Sequence, residues 1–411
     1  MINFAELRAN SRSLFAVSLG LASGYITAQY VTNIFVPHLL SDFGWTKAQF
    51  SIVGFVPLCT LITGPLIGRL TDVFGVRKVA AVGVIGMPLT YIASSAMNGA
   101  FSQYFIISLV QILFIASTTT SIVYSRTIAE HFTLTRGLAL SIAGSAPAIA
   151  SAIIVPLLSG FIESRGWRAG YLVMAAGSTI CGPIALLLIP RRAVPARSVK
   201  GSAETGESKK DYNKIFRDPV FIIVIVGSFL CNLPYFMATT QLMVFLLGKN
   251  IASPTAALMV SAFTIMIMVG RFVVGIFLDH YPAQVVVTLA LGIPTIGLFV
   301  LASSLHTPAL IAVSVGLLGL SIGSEINLSP FLATSYFREN VWSLVVGSFA
   351  GAMALSIPAS AMLLRLTLKL NGDFSLFLFI CGCAGLVGSC LFLLLGRLRD
   401  PHRLNSSVAV N

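Results

Sequence analysis

Residues 262–281 read AFTIMIMVGRFVVGIFLDHY, an apolar run that is long enough to cross a bilayer as one helix. The run carries a single arginine, Arg271, about two turns from its charged end. An ionised arginine at that depth costs on the order of 2.5–3.5 kcal/mol, so it requires a partner or a function. We therefore expect a membrane protein whose activity depends on Arg271.

The composition extends this prediction to the whole chain. Of the 411 residues, 56% are hydrophobic and only 10% are charged, whereas soluble proteins carry about 25% charged residues. Apolar segments of spanning length occur on both sides of a polar stretch, six before it and six after it. They are Leu14–Leu40, Phe50–Leu70, Val79–Met97, Phe101–Tyr124, Gly137–Ile162, Ala169–Ile189, Val220–Leu247, Pro254–Leu278, Ala283–Leu305, Ala309–Thr334, Ser343–Leu364 and Phe374–Leu395.

This pattern predicts an all-α membrane protein with 12 transmembrane helices in two six-helix bundles. The first bundle would cover residues 1–190, and the second would cover residues 219–411 with a short cytoplasmic tail. Residues 191–218 are rich in Lys, Arg, Ser and Glu and have no apolar periodicity, which indicates a flexible cytoplasmic linker. We expect no cleavable signal peptide, because the charged start leads into a full span without a small-residue cleavage pattern.

The distribution of basic residues predicts the orientation. With both termini in the cytoplasm, nineteen Lys and Arg residues fall in inner loops and five in outer loops, a strong positive-inside bias. The net charge of +12 then faces anionic lipid headgroups, and no nucleic-acid-binding motif accompanies it. We expect a monomer in a bacterial-type inner (plasma) membrane. Its partner would be the lipid bilayer, and it would bind no nucleic acid.

The sequence contains no motif for catalysis or cofactor binding. It has no nucleotide-binding loop and no metal-ligand cluster, and its five histidines lie at segment ends and in loops. The six cysteines all fall within apolar runs, where they are expected to be packing residues. We therefore expect no enzymatic activity, no cofactor and no metal, and any transport would be driven by a gradient.

One acidic residue, Glu325, lies well inside a predicted span, the tenth. By residue counting it should lie at a depth similar to that of Arg271 in the eighth span, which suggests that the two form a pair. The pair could be a permanent salt bridge that only fixes packing. Alternatively, a substrate carboxylate binds Arg271 in bidentate fashion while Glu325 accepts a proton. A third possibility is that one of them faces a wet vestibule without a role.

Several polar side chains are candidates to line a cavity. In the first span, Gln29 and Asn33 are four residues apart and share a helix face with Tyr25. Each such side chain could instead make an interhelical hydrogen bond or lie at the interface. The other candidates are Tyr30, Gln111, Tyr124, Asn232, Tyr235 and Asn327.

The two halves of the chain share a motif. Gly68–Asp72 ends the second span and Gly275–Asp279 ends the eighth, where glycine allows close helix approach. The longer stretch GPLIGRLTDVFGVRK, from Gly64 to Lys78, resembles the signature loop between helices 2 and 3 of the major facilitator superfamily. The resemblance implies the major facilitator fold and a gating role for Gly64, Gly68, Asp72 and Arg77, and by repetition for Gly275 and Asp279. The same residues could instead only set the topology.

Further stretches resemble one branch of that superfamily, the monocarboxylate porters and oxalate/formate exchangers. They are Asp42–Trp45, Tyr124 with Arg136–Ala139, Gly166–Arg168 and Gly270–Arg271. The resemblance implies that Arg271 binds the substrate carboxylate and that Gln29, Tyr30 and Tyr124 contact the substrate. Exchangers of oxalate also carry a buried lysine in helix 11, which Ser343–Leu364 lacks, so a monoanion is favoured.

Together these features predict a secondary active transporter that moves a small monocarboxylate, aliphatic or aromatic, with a proton by alternating access. One alternative is a proton-coupled antiporter that exports drugs or metabolites, which would need an acidic site for cations. A second is a membrane sensor or assembly protein, which would be expected to carry a soluble domain. The identity of the carboxylate and the direction of transport stay open.

Overall fold

The computed structural model describes residues 4–132, 135–190, 215, 217–304, 307–337 and 342–398. Within these ranges every regular element is a helix. The backbone of Asp279 is described but its side chain is not, so the prediction for Asp279 lies outside the described part.

The first part of the chain forms ten α-helices between Phe4 and Leu188. They are α1 Phe4–Ala9, α2 Ser11–Ala22, α3 Tyr25–Phe43, α4 Lys47–Phe50, α5 Thr60–Phe74, α6 Val76–Ser95, α7 Phe101–Val110, α8 Ser121–His131, α9 Arg136–Arg165 and α10 Trp167–Leu188. A 3-10 segment, Ser51–Cys59, links α4 to α5. A π turn, Gln111–Ile115, and a 3-10 turn, Ala116–Thr119, follow α7.

The second part of the chain continues the pattern from Pro219 onward. Its helices are α11 Pro219–Cys231, α12 Tyr235–Thr240, α13 Leu242–Gly248, α14 Ser253–His280, α15 Ala283–Ala302, α16 Pro308–Tyr336, α17 Trp342–Asn371, α18 Ser375–Leu393 and α19 Leu395–Leu398. Asp218 caps α11 through a bond from Val220 N to its carboxylate (2.9 Å), and Pro219 occupies the first helical position.

Eleven helical stretches among the described residues are long and apolar enough to cross a membrane. The predicted seventh span is the exception, because it is divided into α11, α12 and α13. Its first interruption contains Pro234, which lacks a backbone N–H and so cannot continue the hydrogen-bond ladder of a helix. The all-α membrane fold predicted from the sequence is confirmed.

The chain divides into two compact units. The first contains Met1–Ala196 with Phe236–Met268, and the second contains Arg197–Tyr235 with Val269–Asn411. In the first unit a core forms around Ala16, Val17 and Tyr124, and in the second a core forms around Val224 and Val287. The domain boundaries expected from the sequence stay a prediction.

Candidate functional site

Arg271 and Glu325 both lie in the second unit, on the helices α14 and α16, which contact each other closely. Gly270 of α14 faces the backbone of Leu320 on α16, and a Cβ atom at Gly270 would lie 2.3 Å from the Leu320 carbonyl oxygen. Ser324 donates to the same carbonyl oxygen at 2.6 Å. Because Arg271 follows Gly270 and Glu325 follows Ser324, both charged residues lie near this helix crossing.

Glu325 is almost fully enclosed, with 1% of its surface exposed. Its carboxyl group interacts with the side chain of Asn232 and lies near Cys231, at the end of α11. The interaction with Asn232 falls short of a hydrogen bond of standard geometry, since Asn232 Nδ2 and Glu325 Oε2 are both buried without a partner among the described residues. This buried acid therefore lies beside the first interruption of the seventh span.

The direct pair expected between Arg271 and Glu325 is not formed. Between these two described side chains there is no ion pair, and the carboxyl group of Glu325 interacts with Asn232 instead. Arg271 is half-buried on α14. Residue counting therefore predicted correctly that the two helices lie close together. It did not predict which side chain interacts with the carboxyl group of Glu325.

Asn33 lies in the first unit and is bound to the second interruption of the seventh span, between α12 and α13. It is fully buried, its Nδ2 donates to Thr239 O at 2.7 Å, and its Oδ1 accepts from Leu242 N at 2.8 Å. Nearby, Gln241 Nε2 donates to Ser51 Oγ at 3.1 Å. The amide of Asn33 therefore replaces the missing helical hydrogen bonds at this interruption, which is the structural alternative considered for it.

The other predicted substrate-binding residues differ in how much of their surface is exposed. Tyr124 is fully buried in the core of the first unit, where its ring fills the space that a side chain at Gly20 would need, 2.5 Å from the Cβ position. Tyr30 is 3% exposed, whereas Gln29 and Tyr235 are half-buried. Their assignment to a substrate site stays a prediction.

Asp72 of the signature loop forms an ion pair whose partner was not predicted from the sequence. Arg126 Nη1 binds the carboxylate of Asp72, and Arg126 Nη2 donates to Gly68 O at 2.9 Å. The pair links the end of α5 to α8. Arg126 lies fifty-four residues away in sequence, and no local spacing identifies it.

The glycines Gly64 and Gly68 of the motif do not lie at the close helix contacts that were predicted for them. A Cβ atom at Gly68 would meet nothing within 4 Å, and one at Gly64 would only touch Ile122 at 3.6 Å. Gly75 does have a conformational reason, since its φ of 82° forms the turn between α5 and α6. Arg77 and Gly275 are half-buried.

Two of the stretches that resemble the monocarboxylate branch meet at one end of the first unit. Trp167 Nε1 donates to Asp42 Oδ2 at 2.6 Å, and Trp45 Nε1 donates to Gly99 O at 2.9 Å. The guanidinium of Arg168 stacks 4.2 Å above the ring of Trp167. These residues thus fasten the end of α3 to the start of α10.

Comparison with known proteins places this fold in a family. The sequence matches the Major Facilitator Superfamily over residues 18–356. Among similar curated proteins, the MFS transporter asaE of Aspergillus flavus is 22% identical over 309 residues, a match that spans 73% of this chain and 66% of that protein. An MFS-type transporter of Gibberella moniliformis is 24% identical over 315 residues, spanning 76% of this chain and 72% of that protein.

Solved structures share the fold at low sequence identity. A D-xylose-proton symporter is 15% identical with a TM-score of 0.72, and the match covers 92% of this chain and 96% of that one. A mutant of the nucleoside transporter NupG is 16% identical with a TM-score of 0.75, covering 93% and 98%. These comparisons do not confirm the branch suggested by the sequence, but the family match spans most of the chain. The chain belongs to the Major Facilitator Superfamily, a family of membrane transporters rather than enzymes.

Proposed function

We propose that this protein is a secondary active transporter that moves a small organic monocarboxylate together with a proton. The observation that carries the proposal is the contact at Gly270 and Leu320, which brings the helix of an intramembrane arginine against the helix of an intramembrane glutamate. Ionisable groups within spanning helices are costly, and they usually serve a substrate or proton pathway.

Arg271 is the proposed anion site. A guanidinium presents a planar set of donors that matches a carboxylate, and the pairing is strong where water is scarce. The segment Ser343–Leu364 contains no second cation, which favours a cargo with one negative charge.

Glu325 is the proposed proton site. Its buried carboxyl group has one oxygen without a partner among the described residues, so its ionisation responds to any change in nearby charge or solvent. When an anionic cargo occupies Arg271, protonation of Glu325 removes one negative charge from the same helix pair. Symport with a proton follows from this electrostatic balance.

Replacement of Arg271 by Lys tests the proposal in proteoliposomes. We expect uptake of labelled monocarboxylates to fall about 100-fold or more, because lysine keeps the charge but loses the two-point geometry. Arg365→Lys is the matched control, since Arg365 is also a half-buried arginine of a spanning helix, and its uptake should stay near the original level. Unchanged uptake in Arg271→Lys and Arg271→Ala would refute the anion site.

The exporter alternative makes a different prediction. If the protein exports cationic drugs, organic cations will raise its melting temperature and monocarboxylates will not. The charge of Arg271 makes that alternative less favourable. Glu325 is the only acid deep within a described span, and a cationic cargo there would be repelled by Arg271 on the neighbouring helix.

A further inference from the structure

A cavity of about 470 Å³ lies at one membrane edge of the first unit. It is located where α2 and α6 begin and α10 ends, an edge that the positive-inside pattern predicts to be cytoplasmic. Two arginines, Arg12 and Arg77, line it together with an apolar wall. The wall consists of Leu187, Ile189 and Pro190. None of the described lining residues is acidic, so the described lining carries a positive charge.

The two arginines are unpaired among the described residues; Arg12 is exposed and Arg77 is half-buried. Neither Arg12 nor Arg77 makes a hydrogen bond or an ion pair with the described residues. Each is the second residue of its helix, and neither helix has an acidic residue in its first turn. Because a helix N-terminus carries partial positive charge, an arginine there is unfavourable unless an anion lies nearby. The cavity thus combines two guanidinium groups with two positive helix ends.

This combination fits a phosphate group attached to an apolar molecule. Guanidinium groups bind phosphate oxygens in bidentate fashion, and helix N-termini favour the same anion. The apolar wall at the end of α10 suits a hydrocarbon chain, and the position at the membrane edge supplies one. We propose that Arg12 and Arg77 bind the headgroup phosphate of an anionic phospholipid, whose acyl chain lies along Leu187 and Ile189.

Such a lipid would act on the signature loop. Arg77 lies two residues after the turn at Gly75, and Asp72, three residues before that turn, is paired with Arg126. A phosphate held by Arg77 therefore anchors the start of α6 next to this ion pair. Transport would then depend on the anionic lipid content of the membrane. This inference is independent of the cargo proposed above, since it uses neither Arg271 nor Glu325.

The test is a lipid titration of the full-length protein in detergent, read by native mass spectrometry. Phosphatidylglycerol is the probe, and phosphatidylcholine and inorganic phosphate are tested in parallel. The affinity of the double variant Arg12→Gln/Arg77→Gln for phosphatidylglycerol should fall by about tenfold or more. The matched control Arg8→Gln/Lys78→Gln also removes two positive charges, but from residues outside the cavity lining, and should change the affinity less than about twofold.

Several results would overturn the proposal. Equal weakening by the two double variants would mean diffuse attraction to the basic surface, and equal binding of phosphatidylcholine would mean that the anionic charge is irrelevant. Saturation by inorganic phosphate at the same concentrations would identify a free ion as the ligand. Arg12→Lys/Arg77→Lys guards against misfolding, because it keeps both charges. Weaker binding by this folded variant than by the original protein would support the proposal, because lysine keeps the charge but loses the bidentate geometry.

Discussion

The predicted seventh span is interrupted twice, and each interruption has a buried asparagine beside it. One asparagine forms hydrogen bonds with the interrupted backbone, whereas the side-chain nitrogen of the other forms none among the described residues. At the second, Asn33 Nδ2 and Oδ1 bind Thr239 O and Leu242 N, the backbone groups that the interruption leaves free. At the first, Asn232 Nδ2 is buried without a partner among the described residues. Both asparagines are nearly inaccessible, with 0% and 3% of their surface exposed.

The difference separates a structural amide from a candidate functional one. A buried polar group that stays unsatisfied costs about 1–3 kcal/mol, whereas a satisfied one stabilises its surroundings. At the second interruption Gln241 Oε1 also has no partner among the described residues, yet the backbone groups are bound. Asn232 instead faces Glu325, an ionisable group. We infer that the second interruption fixes the structure and that the first serves proton exchange.

Removal of the acid at the first interruption should have the largest effect. Glu325→Gln keeps the size of the side chain but cannot exchange a proton. We therefore expect the variant to lose accumulation of labelled monocarboxylate under an imposed pH difference, while passive exchange of labelled for unlabelled substrate persists. The measurement is uptake into proteoliposomes with and without the pH difference.

Ser324→Ala is the control for this experiment. Ser324 is the adjacent buried residue, and among the described residues its hydroxyl bonds to the backbone of its own helix. Its variant should accumulate substrate normally. If Glu325→Gln still concentrates substrate against its gradient, the first interruption does not carry the proton.

Disruption of the second interruption should instead affect stability. Asn33→Ala leaves Leu242 N and Thr239 O without their partner, so we expect the free energy of unfolding to fall by about 2–4 kcal/mol. Gln29→Ala is the matched control, because Gln29 lies one turn away on the same helix and is only half-buried. Thermal and denaturant unfolding in micelles measure both variants. Equal losses for the two would contradict a specific role for the Asn33 amide.

The sequence predicted the helices better than it predicted the contacts of their polar side chains. Apolar length and positive charge were enough for the spans, because both follow from the bilayer. Gln29 and Asn33 share a helix face, but sequence spacing does not indicate which of them meets a backbone interruption 206 residues away. The same holds for Glu325, whose neighbour depends on the rotation of α16 and on where α11 ends.

Motif resemblance had a similar limit. Gly68 was expected to allow close helix contact, yet it has none, whereas Gly270 does lie at a tight crossing. The carbonyl group of Gly68, rather than its missing side chain, has a defined role, since it accepts from Arg126. A motif thus predicts a position in the fold more reliably than it predicts which atom of the residue acts there.

Asn232→Ala should produce the smallest change in stability, and it provides the most direct test of the comparison. The substitution removes an amide that makes no hydrogen bond of standard geometry, so the free energy of unfolding should change by less than about 1 kcal/mol. Proton coupling should change, because Glu325 loses its polar neighbour, and the pH dependence of uptake should shift accordingly. A loss of stability as large as that of Asn33→Ala, with an unchanged pH profile, would show that both interruptions are structural. The distinction between the two asparagines therefore depends on measuring stability and pH dependence for the same pair of variants.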